Sequence, residues 1–343
     1  MAPLKQDDWN RRIVNLDKAL DLMPRKKDGT VAWRGLRVAH LDTGYTEHPA
    51  LGFANGKSPW VKPELGRDFF DNRQSPKDPL VTTHWQPAGH GTRTMSVLNA
   101  DVAATFDMPA MLGLAPRVPT IPYRVNDDSL IFGRSVVAIG RAISHAMENG
   151  CQLVTISLGF PVVEQGDMGA AIDRAYDAGV IVVAACGQMT DKVCYPAKHR
   201  RVIGVGGFTR RGRIYWKYER YSRVDIFAPA DPVFRASTER PGQYTFGSGD
   251  GTSFAVPHVT ATAAMWLTLR GREINALYKG KDNAWMKVEA FRKLLRDTQA
   301  RPTFKQPPDC LAGMLDARKL IQADLPPPDA LRYEEDLAID DRV

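Results

Sequence analysis

The sequence predicts an α/β protein with a doubly wound, mainly parallel sheet and helices on both faces. Three observations carry that prediction. Short apolar runs at 36–41, 120–125, 153–158, 180–185 and 201–205 have strand length and are separated by longer stretches. Several of those stretches have apolar residues three and four apart, the spacing of a helix face. Within the strands the apolar residues are continuous rather than alternating, so both faces need covering.

The elements follow in order. Asn10 to Leu22 places Ile13, Leu16 and Leu20 at helical spacing, which predicts a short helix. Pro24 to Gly29 reads as a linker. Leu36 to Leu41 is a strand that ends at Asp42-Thr-Gly44, and residues 52–89 read as a long loop region with short strands. Thr92 to Leu98 and Val136 to Asn149 are helices, the second closed by Gly150. Met168 to Ala178 is a helix closed by Gly179. Ser253 to Leu269 reads as a helix interrupted by Pro257. Val288 to Asp297 and Leu315 to Gln322 are amphipathic helices. Residues 1–34 form an N-terminal extension and 35–322 one large domain. Residues 323–343, with Pro326 to Pro328 and the acidic Glu334-Glu335-Asp336, read as a tail.

Composition bounds the function classes. The 343 residues are 43% hydrophobic and 25% charged, as in a soluble globular protein. With 46 basic and 39 acidic residues the net charge is +7, too small an excess to argue for nucleic acid. The stretch Arg210 to Lys217 interleaves basic and aromatic residues, and a solvated hairpin is favoured over a nucleic-acid surface. Four cysteines in so long a chain are no disulfide framework, and they lack zinc-ligand spacing. No secretory leader and no apolar run long enough to span a membrane is visible. A cytoplasmic protein is the expectation.

Three motifs carry chemistry. Asp42-Thr-Gly44 follows a strand, His90 sits in Gly89-His-Gly-Thr92, and Ser253 sits in Gly251-Thr-Ser-Phe-Ala-Val-Pro-His258. A serine hydroxyl is a weak nucleophile until a base takes its proton. A histidine can be that base and then protonate the leaving amine. A carboxylate holds the imidazole in the right tautomer.

In the order Asp, His, Ser, with these glycines, the motifs resemble those of the subtilisin-like serine peptidases, the subtilases. Further segments resemble the family in the same order: Gly113-Leu-Ala-Pro116, Thr155-Ile-Ser-Leu-Gly159, Val182-Val-Ala-Ala-Cys-Gly187, Tyr195-Pro196 and Val202-Ile-Gly-Val-Gly206. Gly313-Met-Leu-Asp-Ala317 resembles the family's closing helix. The resemblance implies a serine endopeptidase with Ser253 as nucleophile, His90 as general base and acid, and Asp42 as orienting carboxylate. It implies that Ser157, Leu158 and Gly159 offer backbone to an extended polypeptide substrate, with Phe160 and Gly187 beside the side-chain pocket. Gln188, together with the N–H of Ser253, would hold the oxyanion. Gln188 departs from the family, which has asparagine there, and the alternative is an impaired, peptidase-like binding protein. No cofactor is needed for this chemistry. A structural calcium would suit the family, with Asn99 and Asp101 as candidate ligands, but no ligand series supports it. His258 is read as structural. The N-terminal segment is a candidate inhibitor across the cleft, and a regulatory protein partner is the other restraint to expect.

Overall fold

The computed structural model describes residues 6–84, 86–106, 108–161 and 166–334. Its centre is a seven-stranded sheet. In chain order the strands are β1 (Val38–Asp42), β2 (Arg67–Asp68), β5 (Thr120–Arg124), β6 (Leu153–Ile156), β7 (Ile181–Ala185), β8 (Ile203–Thr209) and β9 (Ile226–Asp231). Across the sheet they run β2-β5-β1-β6-β7-β8-β9, every neighbour parallel. Every residue of β1, β5, β6 and β7 is buried, as continuous apolar runs require.

Helices α3 (His90–Asn99) and α6 (Thr252–Leu277) pack together in one layer, and α4 (Arg134–Glu148) and α5 (Gly166–Asp177) in another. The chain leaves β1 towards β5 on one side, then returns to β6 on the other. β1 and β6 therefore flank the switch point, where such sheets open a crevice at their carboxyl ends. Two short ribbons complete the strands: β3 (Asp101–Val102) with β4 (Met111–Leu112), and β10 (Val233–Ser237) with β11 (Thr245–Gly249). The second ribbon packs on α3, where the Ala236 N–H donates to Ser96 Oγ at 3.0 Å.

The predicted first helix is two helices, α1 (Trp9–Ile13) and α2 (Leu16–Leu20). Asn15 between them is left-handed, with φ 51°, and its amide reaches Asp316. Composition sets residues 1–34 apart, but the described part is core. Trp9, Val14, Leu16, Leu20, Met23, Val31 and Trp33 are buried in the same cluster as the sheet. Arg11, 2% exposed, donates to the carbonyls of Leu112 and Gly113. The described residues 6–34 are thus packed onto the body.

Residues 323–334 likewise fold onto the body. Tyr278 Oη donates to the Pro326 carbonyl, Leu331 is buried, and Arg201 meets the Tyr333 ring and the Glu334 carbonyl. Composition hides this because the prolines suit a strap as well as a tail. The acidic run beyond Glu334 lies outside the described residues. Helices α7 (Met286–Thr298) and α8 (Ala317–Gln322) close the chain. Gly313 to Leu315, expected to begin the last helix, are instead extended beside β9, and Asp316 caps α8 by accepting from Lys319 N–H.

The break expected at Pro257 does not occur: α6 runs unbroken for 26 residues. A proline in a helix leaves the carbonyl four residues back without its N–H. Here that carbonyl belongs to Ser253, and Ser157 Oγ donates to it at 2.9 Å. The loss is made good from outside the helix.

If residues 9–33 are core, Trp9→Ala should destabilise by about 3 kcal/mol, the low end for deleting a buried indole. Urea unfolding measures this. An unchanged midpoint would mean the N-terminal helices are dispensable.

Candidate active site

Register places the site. Leu41 pairs with Ile156, and Ile156 with Ala184. Asp42, Ser157 and Ala185 are therefore the next row, at the carboxyl ends of three adjacent strands about 4.8 Å apart. Asp42 is fully buried, and its Oδ1 accepts from His90 Nδ1 at 2.7 Å. Burial works against the carboxylate's charge, but His90 outweighs it and holds the Asp42 pKa below its usual value. The bond assigns His90 the Nδ1–H tautomer, so Nε2 keeps its lone pair.

The glycine after His90 has a steric reason. A Cβ on Gly91 would run into the Gly44 carbonyl and lie 3.2 Å from Asp42 Cβ. Its N–H donates to Thr43 Oγ1 at 3.0 Å, and Thr43 Oγ1 donates on to Asp78. Burial, with the nearby Asp42 charge, pushes Asp78 up to about 6. Arg124, the register partner of Asp42, is itself answered by Asp68 at 2.6 Å and Asp71 at 2.8 Å.

Ser253 is the second residue of α6 and is tied twice to Ser157. Besides the bond to its carbonyl, its own Oγ donates to the Ser157 carbonyl at 2.9 Å. The hydroxyl is thus parked on the row beside Asp42 rather than hydrogen-bonded to His90.

Gln188 lies against the same helix start. Thr252 N–H donates to Gln188 Oε1 at 2.8 Å and Thr252 Oγ1 at 2.9 Å. A backbone N–H can only donate, so the acceptor must be Oε1, which fixes the amide's orientation. Gln188 Nε2 and the Ser253 N–H then have no partner among the described residues. The extra methylene does not carry the amide away from α6.

The expected substrate edge is occupied. Gly159 N–H donates to the Ser129 carbonyl at 2.9 Å, and Ile131 N–H donates to the Gly159 carbonyl at 3.4 Å. Phe160 packs edge-on against Phe132, 6.4 Å between ring centres. Sequence reading singled out Gly159 and Phe160 but missed the 129–131 segment, because nothing in Ser-Leu-Ile marks a strand partner. It also missed Cys194. A Cβ on Gly159 would lie 2.9 Å from Cys194 Cβ, and one on Gly187 3.0 Å from it. Cys194 is wedged between the two glycines. All four cysteines are buried free thiols.

Other candidates separate from the site. His258 accepts from Asn10 Nδ2 at 2.9 Å and donates to the Phe254 carbonyl at 3.0 Å, so it is a structural, neutral imidazole. Asp101 pairs with Arg117, and Asn99 donates to Thr120. Among the described residues no group of three or more His, Cys, Asp or Glu is placed to hold a metal ion. In the basic aromatic stretch, Ile214, Tyr215 and Trp216 pack on the core, and Trp216 Nε1 donates to the Thr190 carbonyl. No described helix is long and apolar enough to cross a membrane.

Residues 34–314 match the model of the subtilase family. The chain belongs to that family. It is 30% identical over 266 residues to subtilisin Savinase of Lederbergia lenta, covering 77% of this chain and 83% of that one. It is also 30% identical over 266 residues to an alkaline protease of Alkalihalobacillus alcalophilus. There the match covers 77% of this chain but only 59% of the relative's length. Among solved structures, a protease of Pseudoalteromonas arctica superposes with TM-score 0.69 at 22% identity, over 90% of this chain and 93% of that one. Fervidolysin of Fervidobacterium pennivorans, a keratinolytic enzyme related to subtilisin, gives 0.69 at 21% identity, over 93% of this chain and 46% of that one. At those identities the structural likeness establishes the subtilisin-like fold.

The buried histidines set an acid limit on this subtilase's stability. Burial pushes His40 and His48 down to about 4 and His258 to about 3. Unfolded, each binds a proton below its ordinary value of 6.5; folded, each stays neutral until the lower value. Their contribution is therefore present above pH 6.5 and lost as pH falls, by up to about 1.4 kcal/mol per pH unit per histidine. Asp78 has the opposite sign: raised from 3.8 to about 6, it favours the folded state as pH falls through that window. Thermal melts from pH 7 to 4.5 should show a falling midpoint, and His258→Gln a shallower fall. An equal slope in both proteins would contradict a neutral His258.

Proposed function

We propose that this subtilase is a serine endopeptidase acting through Asp42, His90 and Ser253. The observation that carries the reading is the buried Asp42–His90 bond of 2.7 Å, one strand away from the residue that holds Ser253. Ser253 Oγ turns from the Ser157 carbonyl towards His90 Nε2 when substrate arrives. It attacks the peptide carbonyl carbon, and its proton passes to Nε2. The tetrahedral oxyanion is held by Ser253 N–H and Gln188 Nε2, the two donors left unpaired beside α6. Collapse breaks the C–N bond as His90 returns the proton to the leaving amine, leaving an acyl-enzyme. Water, deprotonated by His90, then releases the acid and restores Ser253. No step calls for a metal or cofactor.

The substrate is a polypeptide bound as an extended strand against Ser157, Leu158 and Gly159. To bind, it exchanges with the 129–131 segment at Gly159. Cys194 packs between Gly159 and Gly187, beside the place read as the side-chain pocket. Four free thiols suit a reducing compartment, and a cytoplasmic setting is part of the reading.

A fluorophosphonate probe should label Ser253 in the folded protein and fail to label Ser253→Ala. Folded protein that takes no label would leave the alternative, a peptidase-like binding protein held latent by the parked serine.

Gln188→Ala should lower kcat by about 10²-fold, the lower end for such a donor and a figure that itself comes from subtilisin. Peptide hydrolysis under saturation measures it. If kcat is unchanged, Gln188 does not hold the oxyanion.

A further inference from the structure

Behind the Asp42–His90 pair lies a second histidine that the mechanism does not use. His40 is two residues before Asp42 on β1, and it is 3% exposed. Its neighbours in the strand are Val38, Ala39 and Leu41, all fully buried. An apolar side chain would suit this place better. The His40 Nδ1 has no partner among the described residues, which makes the imidazole a cost to the fold.

What His40 does bind is Thr94, one turn after His90 on α3. His40 Nε2 lies 2.9 Å from Thr94 Oγ1, and Thr94 Oγ1 lies 3.0 Å from Asp42 Oδ2. The direction of these bonds follows from proton count. Asp42 is an acceptor only, so the bond to Oδ2 is made with the single hydroxyl proton of Thr94. The Thr94 oxygen then accepts, and His40 must be the Nε2–H donor. This chain is continuous with the catalytic one: His40 to Thr94, Thr94 to Asp42 Oδ2, and His90 to Asp42 Oδ1.

Thr94 has other places to send that proton. The His90 and Gly91 carbonyls are each 3.3 Å from its Oγ1, the usual back-bonding targets of a helical threonine. With His40 Nε2–H donating to its oxygen, Thr94 turns its own proton to Asp42 Oδ2, the nearest of the three acceptors. We propose that His40 is a positioning residue of this site: through Thr94 it holds a hydrogen bond on Asp42 Oδ2 and so sets how strongly Asp42 grips His90. The inference rests on the serine peptidase reading for its kinetic consequence, but the network exists with or without turnover.

Its loss has a predictable sign. Without the Thr94 bond, Asp42 is less satisfied and attracts the imidazolium form of His90 more strongly. The acid limb of the pH profile then moves up. The titratable and charged groups around the pair are neutral His40 from β1, Asp78 from the loop after β2, which also faces Arg124 on β5, and Arg93 from α3, which in turn faces Arg235 on β10 and Glu239. None of the others is altered in the test, so the shift reports on Asp42.

The test uses His40→Leu, Thr94→Val, their double variant and Thr94→Ser. Two readouts are taken: kcat/KM against pH with a fluorogenic peptide, and titration of the His90 ring in histidine-labelled protein by NMR. Each single variant should lose about fivefold in kcat/KM, the worth of one net hydrogen bond. The acid limb and the His90 titration should both move up in pH. The double variant should be no worse than either single one, and Thr94→Ser should recover most of what Thr94→Val loses. An unmoved His90 titration in both single variants, or losses that multiply in the double, would overturn the proposal. A wild-type protein that cleaves nothing would sink the peptidase reading alone, since the NMR titration still decides the positioning role.

Discussion

Parallel strands all end on one edge of a sheet, and the site depends on three of them ending in the same row. Asp42, Ser157 and Ala185 follow the paired residues Leu41, Ile156 and Ala184. A slip of one residue between β1 and β6 would turn Asp42 to the other face and move the carbonyl that holds Ser253. The register is secured by packing on both faces, because a slip would exchange the side chains that each helix layer is fitted against. The geometry of the proposed site is thus a by-product of core packing. The helices then bring the remaining groups to that row by their N-termini, His90 opening α3 and Ser253 near the start of α6.

The same row carries an unusual load of buried polar groups. Asp42, His40, Thr43, Thr94 and Asp78 are all at most 9% exposed. Most are answered by one another, which is what makes their burial tolerable. The exceptions are informative. The bare Nδ1 of His40 and the raised carboxyl of Asp78 are costs that a purely structural core would shed. Their hydrogen bonds run towards the Asp42–His90 pair: His40 through Thr94 to Asp42 Oδ2, and Asp78 through Thr43 to the Gly91 N–H. Ser157 shows the reverse: its side chain repairs the gap left by Pro257 and its carbonyl accepts from the Ser253 hydroxyl.

Much of this was legible in the sequence, for physical reasons. β7 announces itself as an unbroken apolar run and β1 and β6 as apolar runs with one polar interruption each before their ends, and the glycines at 150 and 179 mark helix ends with φ of +68° and +70°. The Asp, His and Ser motifs lie where those elements end, so their approach could be read from order and spacing. Other parts were hidden. β9 contains Pro229, and β11 reads Thr-Phe-Gly-Ser-Gly with no buried residue, so neither shows a strand pattern. Pro257 looks like a break unless one knows that Ser157 supplies the missing donor. His40 inside an apolar run shows as an oddity, but only the contact with Thr94 gives it meaning.

Restraint on the cleft also changes character once the N-terminal helices are seen as core. What occupies the Gly159 edge is the chain's own 129–131 segment, and it is held from behind as well. Asn126 Nδ2 donates to the Leu130 carbonyl at 2.6 Å, and Asp128 Oδ1 accepts from Ser129 N–H at 2.6 Å. An incoming peptide would trade two backbone hydrogen bonds at Gly159 for two of its own, an exchange with little net gain. The balance must then come from side chains buried along the cleft, set against the ties that hold 126–131 in place. On the proposed peptidase reading, the ties that hold 126–131 set what an incoming peptide must overcome at Gly159.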